Sequence, residues 1–354
     1  MIKFGIVGGG WRTEFFLRIA RELPEVFEVT GMFVRKQERA EELTKQFGVQ
    51  TYSTLGELLG TGPDFLITSL SWSSNPVFLR ELADRGIPVL SETPPAPTHA
   101  DLVALTDLIK TGAKIQVAEQ YSFQPEHAAR ITIARSGKLG DVFQAQLSVC
   151  HGYHGISLLR RLLDIGFEGA KISARRIPET VVGGPDRNGR PPKEETIQHQ
   201  SQLIAHLDFG DKHAIFDFVG SMYHSYIRTH RTLVRGTRGE INNREVRYLA
   251  DFQTPIHYEL RRVDMGQTGN LDGYFHQGVL AGEQWAYRNP FPFARLMDDE
   301  IAIAACMVGM SEYVQGGPDI YSLAEACQDH YLSILMEESA DSGQELVAST
   351  QPWA

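Results

Sequence analysis

Residues 4–13 have the sequence FGIVGGGWRT, and this stretch decides the fold. An apolar run is followed at once by three glycines and then by apolar side chains at helical spacing over residues 15–20. The apolar run predicts a buried parallel strand. A strand, a glycine turn and a helix N-terminus form a cradle for a phosphate, because backbone amides there can approach the anion closely. We therefore predict a dinucleotide site whose first contacts are Gly8, Gly10, Trp11 and Arg12.

The glycine turn departs from the full G-x-G-x-x-G fingerprint, because Thr13 stands at the place of the third glycine. A side chain at that place predicts slightly wider spacing between helix and strand. A plain strand-to-helix loop is the alternative that this stretch leaves open. Its position directly after the first strand favours the dinucleotide site.

The composition predicts a two-domain globular enzyme. The chain has 354 residues, 42% of them hydrophobic and 22% charged, and a domain usually takes about 100–200 residues. A net charge of −10 argues against a general binder of nucleic acid or of an anionic membrane. We recognise no signal peptide and no membrane-spanning stretch. The three cysteines lack the spacing of metal ligands, which predicts reduced thiols, no metal and a cytoplasmic location.

The first third of the chain alternates strands with helices. Predicted strands cover residues 28–35, 63–69, 87–91 and 114–119, and predicted helices cover residues 37–47, 55–59 and 77–85. This alternation predicts an α/β fold with a doubly wound parallel sheet. Right-handed crossovers place the carboxyl ends of all strands at one edge, where the ligand is expected.

The pattern changes after about Pro125. Alternating or β-rich segments follow at residues 142–150, 200–208, 213–220 and 230–236, and they predict a mostly antiparallel sheet with one open face. Residues 182–194 predict a mobile polar loop, residues 264–290 resist assignment, and residues 298–314 and 322–337 predict helices. We expect a dinucleotide-binding domain over residues 1–123 and an α+β domain over residues 124–354.

The end of the second strand bears on the choice of cofactor. It has Val34, Arg35 and Lys36 where an acidic residue would bind the ribose of NAD. Cations there attract a 2′-phosphate, and a guanidinium can stack on adenine. We therefore predict NADP rather than NAD, with a solvated pair of surface charges as the alternative.

Further short motifs follow the glycine turn in a particular order. They lie at residues 34–41, 91–96 (SETPPA), 136–142 (SGKLGDV), 150–154 (CHGYH), 236–240 (GTRGE) and 338–340 (ESA). With these motifs the chain resembles the Gfo/Idh/MocA oxidoreductase family over nearly its whole length. The resemblance implies an N-terminal Rossmann domain and a C-terminal domain whose open sheet often mediates oligomerisation. It also implies hydride transfer between NAD(P) and a carbon of a sugar, a polyol or a related hydroxylated small molecule.

The departures from the family pattern concern proton handling. The family loop usually reads Glu-Lys-Pro, and Thr93 stands here at the lysine position between Glu92 and Pro94. The family's Asp-x-x-x-His motif keeps its histidine as His154, whereas Cys150 replaces the aspartate. Ser122 and Asn75 also stand where the family often has arginine and histidine. We assign the remaining cofactor contacts to Ser69, Ser71, Trp72, Asn75, Glu92, Pro94 and Glu119.

His154 is the predicted base for the proton released when a carbinol loses a hydride. If the helix begins at Gly155, His154 lies just before it, and the helix dipole favours the neutral imidazole. A histidine that only caps the helix is the alternative. We predict that Glu92 closes the nicotinamide site and that Thr93 positions the substrate. The substrate contacts are predicted to be Thr93, Tyr121, His151, Tyr153 and His154.

Histidines and aromatic residues are frequent in the second domain. They include His199, His206, His213, Tyr223, His224, Tyr226, His230, Tyr274, His276, Trp285 and Tyr287. Such side chains suit sugar rings, and an interface between subunits is an equally good interpretation. We expect a homodimer or homotetramer that forms through the C-terminal sheet.

The missing lysine and aspartate leave two other functions open. One is a redox-assisted elimination or glycoside cleavage in which the cofactor is retained and regenerated. The other is a non-catalytic relative that senses the nucleotide. Bound cofactor that is never consumed would indicate the first, and binding without turnover would indicate the second.

Overall fold

A six-stranded parallel sheet forms the N-terminal part of the protein in a computed structural model that describes residues 1–266, 273 and 275–354. Its strands are β1 (Ile2–Val7), β2 (Phe27–Phe33), β3 (Thr51–Tyr52), β4 (Phe65–Thr68), β5 (Val89–Ser91) and β6 (Ile115–Val117). Their order in the sheet is β3-β2-β1-β4-β5-β6. Because the order reverses beside β1, a crevice opens at the carboxyl ends of β1 and β4, where such folds bind ligands.

Helices cover both faces of this sheet. They are α1 (Thr13–Glu22), α2 (Gln37–Phe47), α3 (Leu55–Leu59), α4 (Asn75–Asp84), α5 (His99–Ala104) and α6 (Thr106–Lys110). Phe4 and Ile6 of β1 pack in one cluster with α1, whereas Val7 packs in another with α3 and α4. Side chains on opposite sides of β1 are thus buried under helices on the two faces of the sheet, as a doubly wound fold requires. The predicted fold class is confirmed.

A helix from the far end of the chain also packs on the first sheet. The helices that follow β6 are α7 (Pro125–Ala134), α8 (Gly152–Leu163), α9 (Asp298–Val314) and α10 (Leu323–Ser342). Ile301 and Met307 of α9 belong to the same buried cluster as Phe4 and Phe16. This packing brings the acidic N-terminus of α9 to the crevice. The predicted boundary after residue 123 stays a prediction.

The second sheet has eleven strands. They are β7 (Val142–Ser148), β8 (Lys171–Val182), β9 (Ile197–Asp208), β10 (His213–Phe218), β11 (Arg231–Gly236), β12 (Gly239–Asn242), β13 (Glu245–Leu249), β14 (Pro255–Met265), β15 (Phe275–Ala281), β16 (Gln284–Arg288) and β17 (Leu346–Val347). Only the β7–β10 pair is parallel among the pairs described. Helices α7, α8 and α10 pack on one face. On β10, Ala214 and Phe216 face this core, while His213 and Ile215 are half-buried on the other face.

Most predicted elements lie within a few residues of their observed bounds. The predicted helix over residues 298–314 coincides with α9. The sequence analysis did not predict α5, α6, α7, β3, β8, β12, β13, β14 or β17, and it left unassigned the segment that contains β15 and β16. Residues 267–272 and Tyr274 of that segment lie outside the described residues. None of the helices described is both long and apolar enough to cross a membrane.

Candidate active site

A cleft of about 1400 Å³ lies between the edge of the first sheet and the second sheet's helix-covered side. Most residues predicted for the site line it: Gly8, Gly10, Trp11, Arg12, Val34, Arg35, Lys36, Ser69, Ser71, Trp72, Glu92, Thr93, Tyr121, His151, Tyr153 and His154. The sequence motifs therefore converge on one concave site, although they come from six separate places in the chain.

The glycine turn has the geometry of an anion cradle. Gly8 has φ +112°, and a Cβ atom there would lie 2.2 Å from the carbonyl oxygen of Ser69, so only glycine fits. The amide of Gly8 donates to Phe33. The next four amides, those of residues 9–12, have no hydrogen-bond acceptor in the described part of the chain. Four consecutive free amides at a helix N-terminus fit a pyrophosphate, the group that this turn predicts.

Arg12 connects both parts of the protein at the floor of the cleft. Its Nη1 donates to Oδ2 of Asp299 at 2.8 Å, and its Nε lies 3.4 Å from Oε1 of Glu92. Gln124 donates to the other oxygen of Asp299 at 3.2 Å. Burial raises the pKa of Glu92. The Arg12 guanidinium is thus held by two carboxylates, while the backbone amide of Arg12 has no acceptor among the described residues.

Cations line the end of the cleft beyond β2. Arg35 and Lys36 are exposed there, and no acidic side chain within the described ranges pairs with either. Arg39, which the site prediction left out, donates through Nε to the carbonyl of Gly9 at 2.9 Å and through Nη2 to Glu14 at 2.7 Å. Its place in the motif at residues 34–41 was the available signal.

His154 lines the cleft and forms a buried pair with Glu119. Nδ1 of His154 lies 2.6 Å from Oε2 of Glu119, and the two residues are 7% and 2% exposed. Burial raises the pKa of Glu119 to about 8. Burial and, less strongly, the Arg12 cation lower the pKa of His154 to about 3. An ionised Glu119 accepts the Nδ1 proton and leaves the lone pair of Nε2 free, since Nε2 has no acceptor or donor among the residues described.

The helix around His154 begins earlier than predicted. Helix α8 starts at Gly152, so His154 lies within its first turn and not before it, and His151 is the N-cap without a side-chain capping bond. Gly155 does not mark the start. A Cβ there would lie 2.4 Å from the ring of Phe216, so this glycine permits the close packing of α8 on β10.

Aromatic rings surround His154. The ring centres of Tyr121, Tyr153 and His151 lie 4.7, 4.4 and 5.0 Å from that of His154. Nδ1 of His151 lies 2.6 Å from the hydroxyl of Tyr223, and burial lowers the pKa of His151 to about 4. The four rings thus form a largely neutral wall that excludes water from one side of the imidazole.

Three residues predicted to contact the cofactor do not line the cleft. Asn75 is buried, and its Nδ2 donates to the Ser91 hydroxyl at 2.9 Å and to the Pro95 carbonyl at 3.1 Å. Pro94 is buried behind Thr93, to which it is joined by a cis peptide bond. Glu119 is buried and contacts Nδ1 of His154. These side chains shape the loops that carry the lining residues.

Several lining residues were missed by the site prediction: Gly9, Phe15, Arg39, Leu70, Gln120, Gln124, Arg187, Met297, Asp298 and Asp299. Arg187 lies in the loop predicted to be mobile, and its guanidinium stands 3.9 Å above the Trp11 ring. A hydrogen-bonded turn over residues 186–190 carries it. The loop therefore reaches across the mouth of the cleft to the glycine turn.

The histidines and aromatic residues of the second domain do not form one group in space. Tyr223, His224 and His230 line the cleft. His206 and His213 stack at 5.5 Å on the open face of the sheet, away from it. No cluster of three side chains suited to a metal ion occurs among residues 1–266, 273 and 275–354.

The comparison with known families agrees with the glycine turn and the sheet order. Residues 2–120 match the model of the Gfo/Idh/MocA oxidoreductase family, described as an oxidoreductase family with an NAD-binding Rossmann fold. No curated protein matches the sequence significantly.

Solved structures with the same fold cover nearly the whole chain. A levoglucosan dehydrogenase in complex with NADH and levoglucosan has a TM-score of 0.69 at 14% identity and covers 99% of both chains. A putative myo-inositol dehydrogenase from Sinorhizobium meliloti has a TM-score of 0.67 at 13% identity, and the match covers 99% of this chain and 100% of that protein. An oxidoreductase from Agrobacterium radiobacter, bound to NAD⁺, L-tartaric acid and magnesium, has a TM-score of 0.66 at 17% identity. The match covers 98% of both chains. Residues 2–120 of this chain are thus similar to the Gfo/Idh/MocA oxidoreductase family, and the whole chain has a fold similar to that of these solved structures.

Proposed function

We propose that the protein is an NADP-preferring oxidoreductase that transfers a hydride between the nicotinamide and a carbinol carbon of a sugar, polyol or related hydroxylated molecule. The observation that carries the proposal is the buried pair of His154 and Glu119 in the cleft that begins at the glycine turn. The free amides of residues 9–12 fit the pyrophosphate. When bound, the dinucleotide accepts or donates the hydride.

The chain's own residues handle the proton. Nε2 of His154 takes the hydroxyl proton when Glu119 is ionised, and it returns a proton in the reverse direction. Glu119 holds the ring by the 2.6 Å contact at Nδ1. The hydroxyl groups of Tyr121 and Thr93 orient the substrate oxygen, and the surrounding rings exclude water. Glu92 lies against Arg12 and closes the floor beside the nicotinamide.

One observation favours a second candidate, the redox-assisted elimination that retains its cofactor. Arg187 crosses the mouth of the cleft and stacks on Trp11, a contact that would slow the escape of a dinucleotide bound beneath it. In this reaction the same base acts, and the cofactor is returned to its starting state within one cycle.

A panel of sugars, polyols and their keto forms tests the proposed function. We expect steady formation or consumption of reduced nicotinamide with at least one member of the panel. Product formation with bound cofactor that is never consumed would indicate the elimination. Tight NADPH binding without any turnover would contradict both and favour a nucleotide sensor.

The preference for NADP is predicted to depend on Arg35. The wild-type protein should bind NADPH more tightly than NADH. Arg35→Ala should weaken NADPH binding by about 1–3 kcal/mol, because a charge-assisted contact with the 2′-phosphate is lost, and should leave NADH binding nearly unchanged. Lys45→Ala, which removes an exposed cation further along α2, is the matched control. Equal affinity of the wild type for both cofactors, measured by nicotinamide fluorescence, would contradict the preference.

The open face of the second sheet is proposed to join two or four copies of the chain. Ile204, Ile215 and Leu233 are half-buried on this face of β9, β10 and β11. We expect light scattering to give a dimer or tetramer at micromolar concentration. Ile215→Asp should shift the mass toward the monomer, whereas Val103→Asp, at an exposed apolar site on α5, should not. A monomeric wild type would contradict the proposal.

A further inference from the structure

A side cavity of about 620 Å³ adjoins the cleft and takes no part in the function proposed above. It shares Gln124, His230 and Asp298 with the cleft, so the two spaces are continuous along one wall. The ring of Tyr121 lies 6.5 Å from that of His127 in the side cavity and 4.7 Å from that of His154. A single aromatic side chain therefore separates the side cavity from the predicted base.

Two guanidinium groups in the side cavity share one carboxylate. Nη2 of Arg130 lies 2.9 Å from Oε2 of Glu126, and Nε of Arg244 donates to Oε1 of the same group at 2.9 Å. The second acidic group of the wall, Asp298, accepts from Nη1 of Arg262 at 2.7 Å. Burial and the neighbouring Arg244 lower the pKa of Arg130. Glu126 thus forms ion pairs with two cations, and the Arg130 cation is buried.

The same wall offers hydrogen-bond donors without acceptors. Nη1 of Arg130 donates to Nδ1 of His127 at 3.2 Å, so the proton of this neutral, buried ring is on Nε2, which has no acceptor in the described chain. Oδ1 of Asn243 accepts from the amide of Thr232 at 3.0 Å, which leaves its Nδ2 unengaged among the same residues. The carbonyl of Asn243 also accepts from Nε of Arg130 at 2.8 Å and fixes the guanidinium plane.

We propose that this side cavity binds an anionic group of the substrate, a carboxylate or a phosphate, through Arg244, Arg130, His127 and Asn243. Two guanidinium groups that share one carboxylate, and donors without acceptors around one small space, are a pattern that can recognise such an anion. The proposal rests on the proposed function and narrows its substrate class to acidic or phosphorylated sugars and polyols. The anion occupies the side cavity while the carbinol lies at His154, on the other side of Tyr121.

Inorganic phosphate, titrated by calorimetry in the presence of saturating NADPH, is the direct probe. Arg244 is half exposed, so Arg244→Gln removes one cation without opening the core. Arg247→Gln is the matched control, because Arg247 lies on the same sheet and pairs with Glu245 outside the cavity. We expect saturable binding to the wild type, at least about tenfold weaker binding to Arg244→Gln, and no change in Arg247→Gln.

The substrate panel separates this proposal from the proposed function. We expect acidic and phosphorylated members to have higher kcat/KM than their neutral counterparts, with the difference lost in Arg244→Gln. Comparing carboxylated with phosphorylated members identifies the anion. Equal use of neutral members, or phosphate binding that is the same in Arg244→Gln and wild type, would overturn the anion site and leave the oxidoreductase standing. Phosphate binding that depends on Arg244 without turnover of any member would support the site and overturn the oxidoreductase.

Discussion

His154→Ala is expected to lower turnover about 10²–10⁴-fold, the usual cost of losing a general base. NADPH binding should be nearly unchanged, because the glycine turn and Arg35 lie on the first sheet, away from α8. Thr93→Ala should cost far less, since a hydroxyl there can only position the substrate. Steady-state rates measure turnover, and nicotinamide fluorescence on the same preparations measures NADPH binding.

His206→Ala is the matched control, because this histidine lies on the open sheet face and outside the cleft. It should retain the wild-type rate. Near-normal turnover of His154→Ala would mean that the proton goes elsewhere, and His151 and Tyr121 would be the next candidates. In that case the assignment of residues 150–154 as the proton-handling motif is wrong.

Glu119→Gln is expected to lower the rate of substrate oxidation by about 10²-fold and to abolish its pH dependence near pH 8. A partner that fixes the tautomer of a catalytic histidine is worth roughly 10–10⁴-fold in other enzymes. Glutamine keeps the size of the side chain and can donate to Nδ1, which places the proton on Nε2. The amide therefore favours the tautomer that cannot accept the substrate proton.

The sign of the pH dependence follows from the buried pair. Burial raises the pKa of Glu119 to about 8, so below that pH the pair holds one more proton than above it. With the extra proton on either residue, Nε2 carries a hydrogen, and the pair acts as an acid. The rate of substrate oxidation should thus rise as pH increases through about 8, and the rate of reduction should fall. A wild-type oxidation rate that stays flat between pH 6 and 9, or the same rise in Glu119→Gln, would contradict this assignment.

The nucleotide half of the site was predictable because its determinants are local. Strand, turn and helix occupy fewer than 25 consecutive residues, and the φ of Gly8 and its contact with Ser69 explain why glycine is required there. Arg35 and Lys36 follow a strand whose end the apolar pattern already located. The role of Arg39 was less visible, because its contact with Gly9 joins residues 30 positions apart.

The proton-handling half was only partly predictable. The motif around His154 pointed to the proposed base, yet its partner Glu119 lies 35 residues earlier. Glu119 follows the end of β6, and the packing of α8 against residues 121–123 brings the two side chains together. The carboxylate of Glu119 therefore contacts His154, although Cys150 replaces the aspartate that is usual in the family motif. The misplaced start of α8 has a similar cause, because Gly155 is explained by the Phe216 ring and not by local chain geometry.

Contacts across the cleft could not be predicted from local patterns at all. Asp299 lies in the first turn of a helix that was predicted correctly, but its ion pair with Arg12 spans 287 positions in the chain. Arg187 lies in a Gly- and Pro-rich loop, whose composition indicates flexibility and does not indicate a partner. The side cavity depends on the packing that brings Arg244, in the turn between β12 and β13 of the second sheet, to Glu126 of α7, 118 positions away in the chain.

A single-turnover experiment tests the central claim most directly. Enzyme loaded with NADP⁺ is mixed at high pH with the best alcohol of the panel, while the absorbance of reduced nicotinamide and the release of protons to an indicator dye are recorded together. We predict one proton released for each reduced nicotinamide in the wild type, and both signals slowed at least about 10²-fold in His154→Ala with the bound cofactor retained. No reduced nicotinamide in the wild type with any alcohol, or equal rates in the two proteins, would contradict the account.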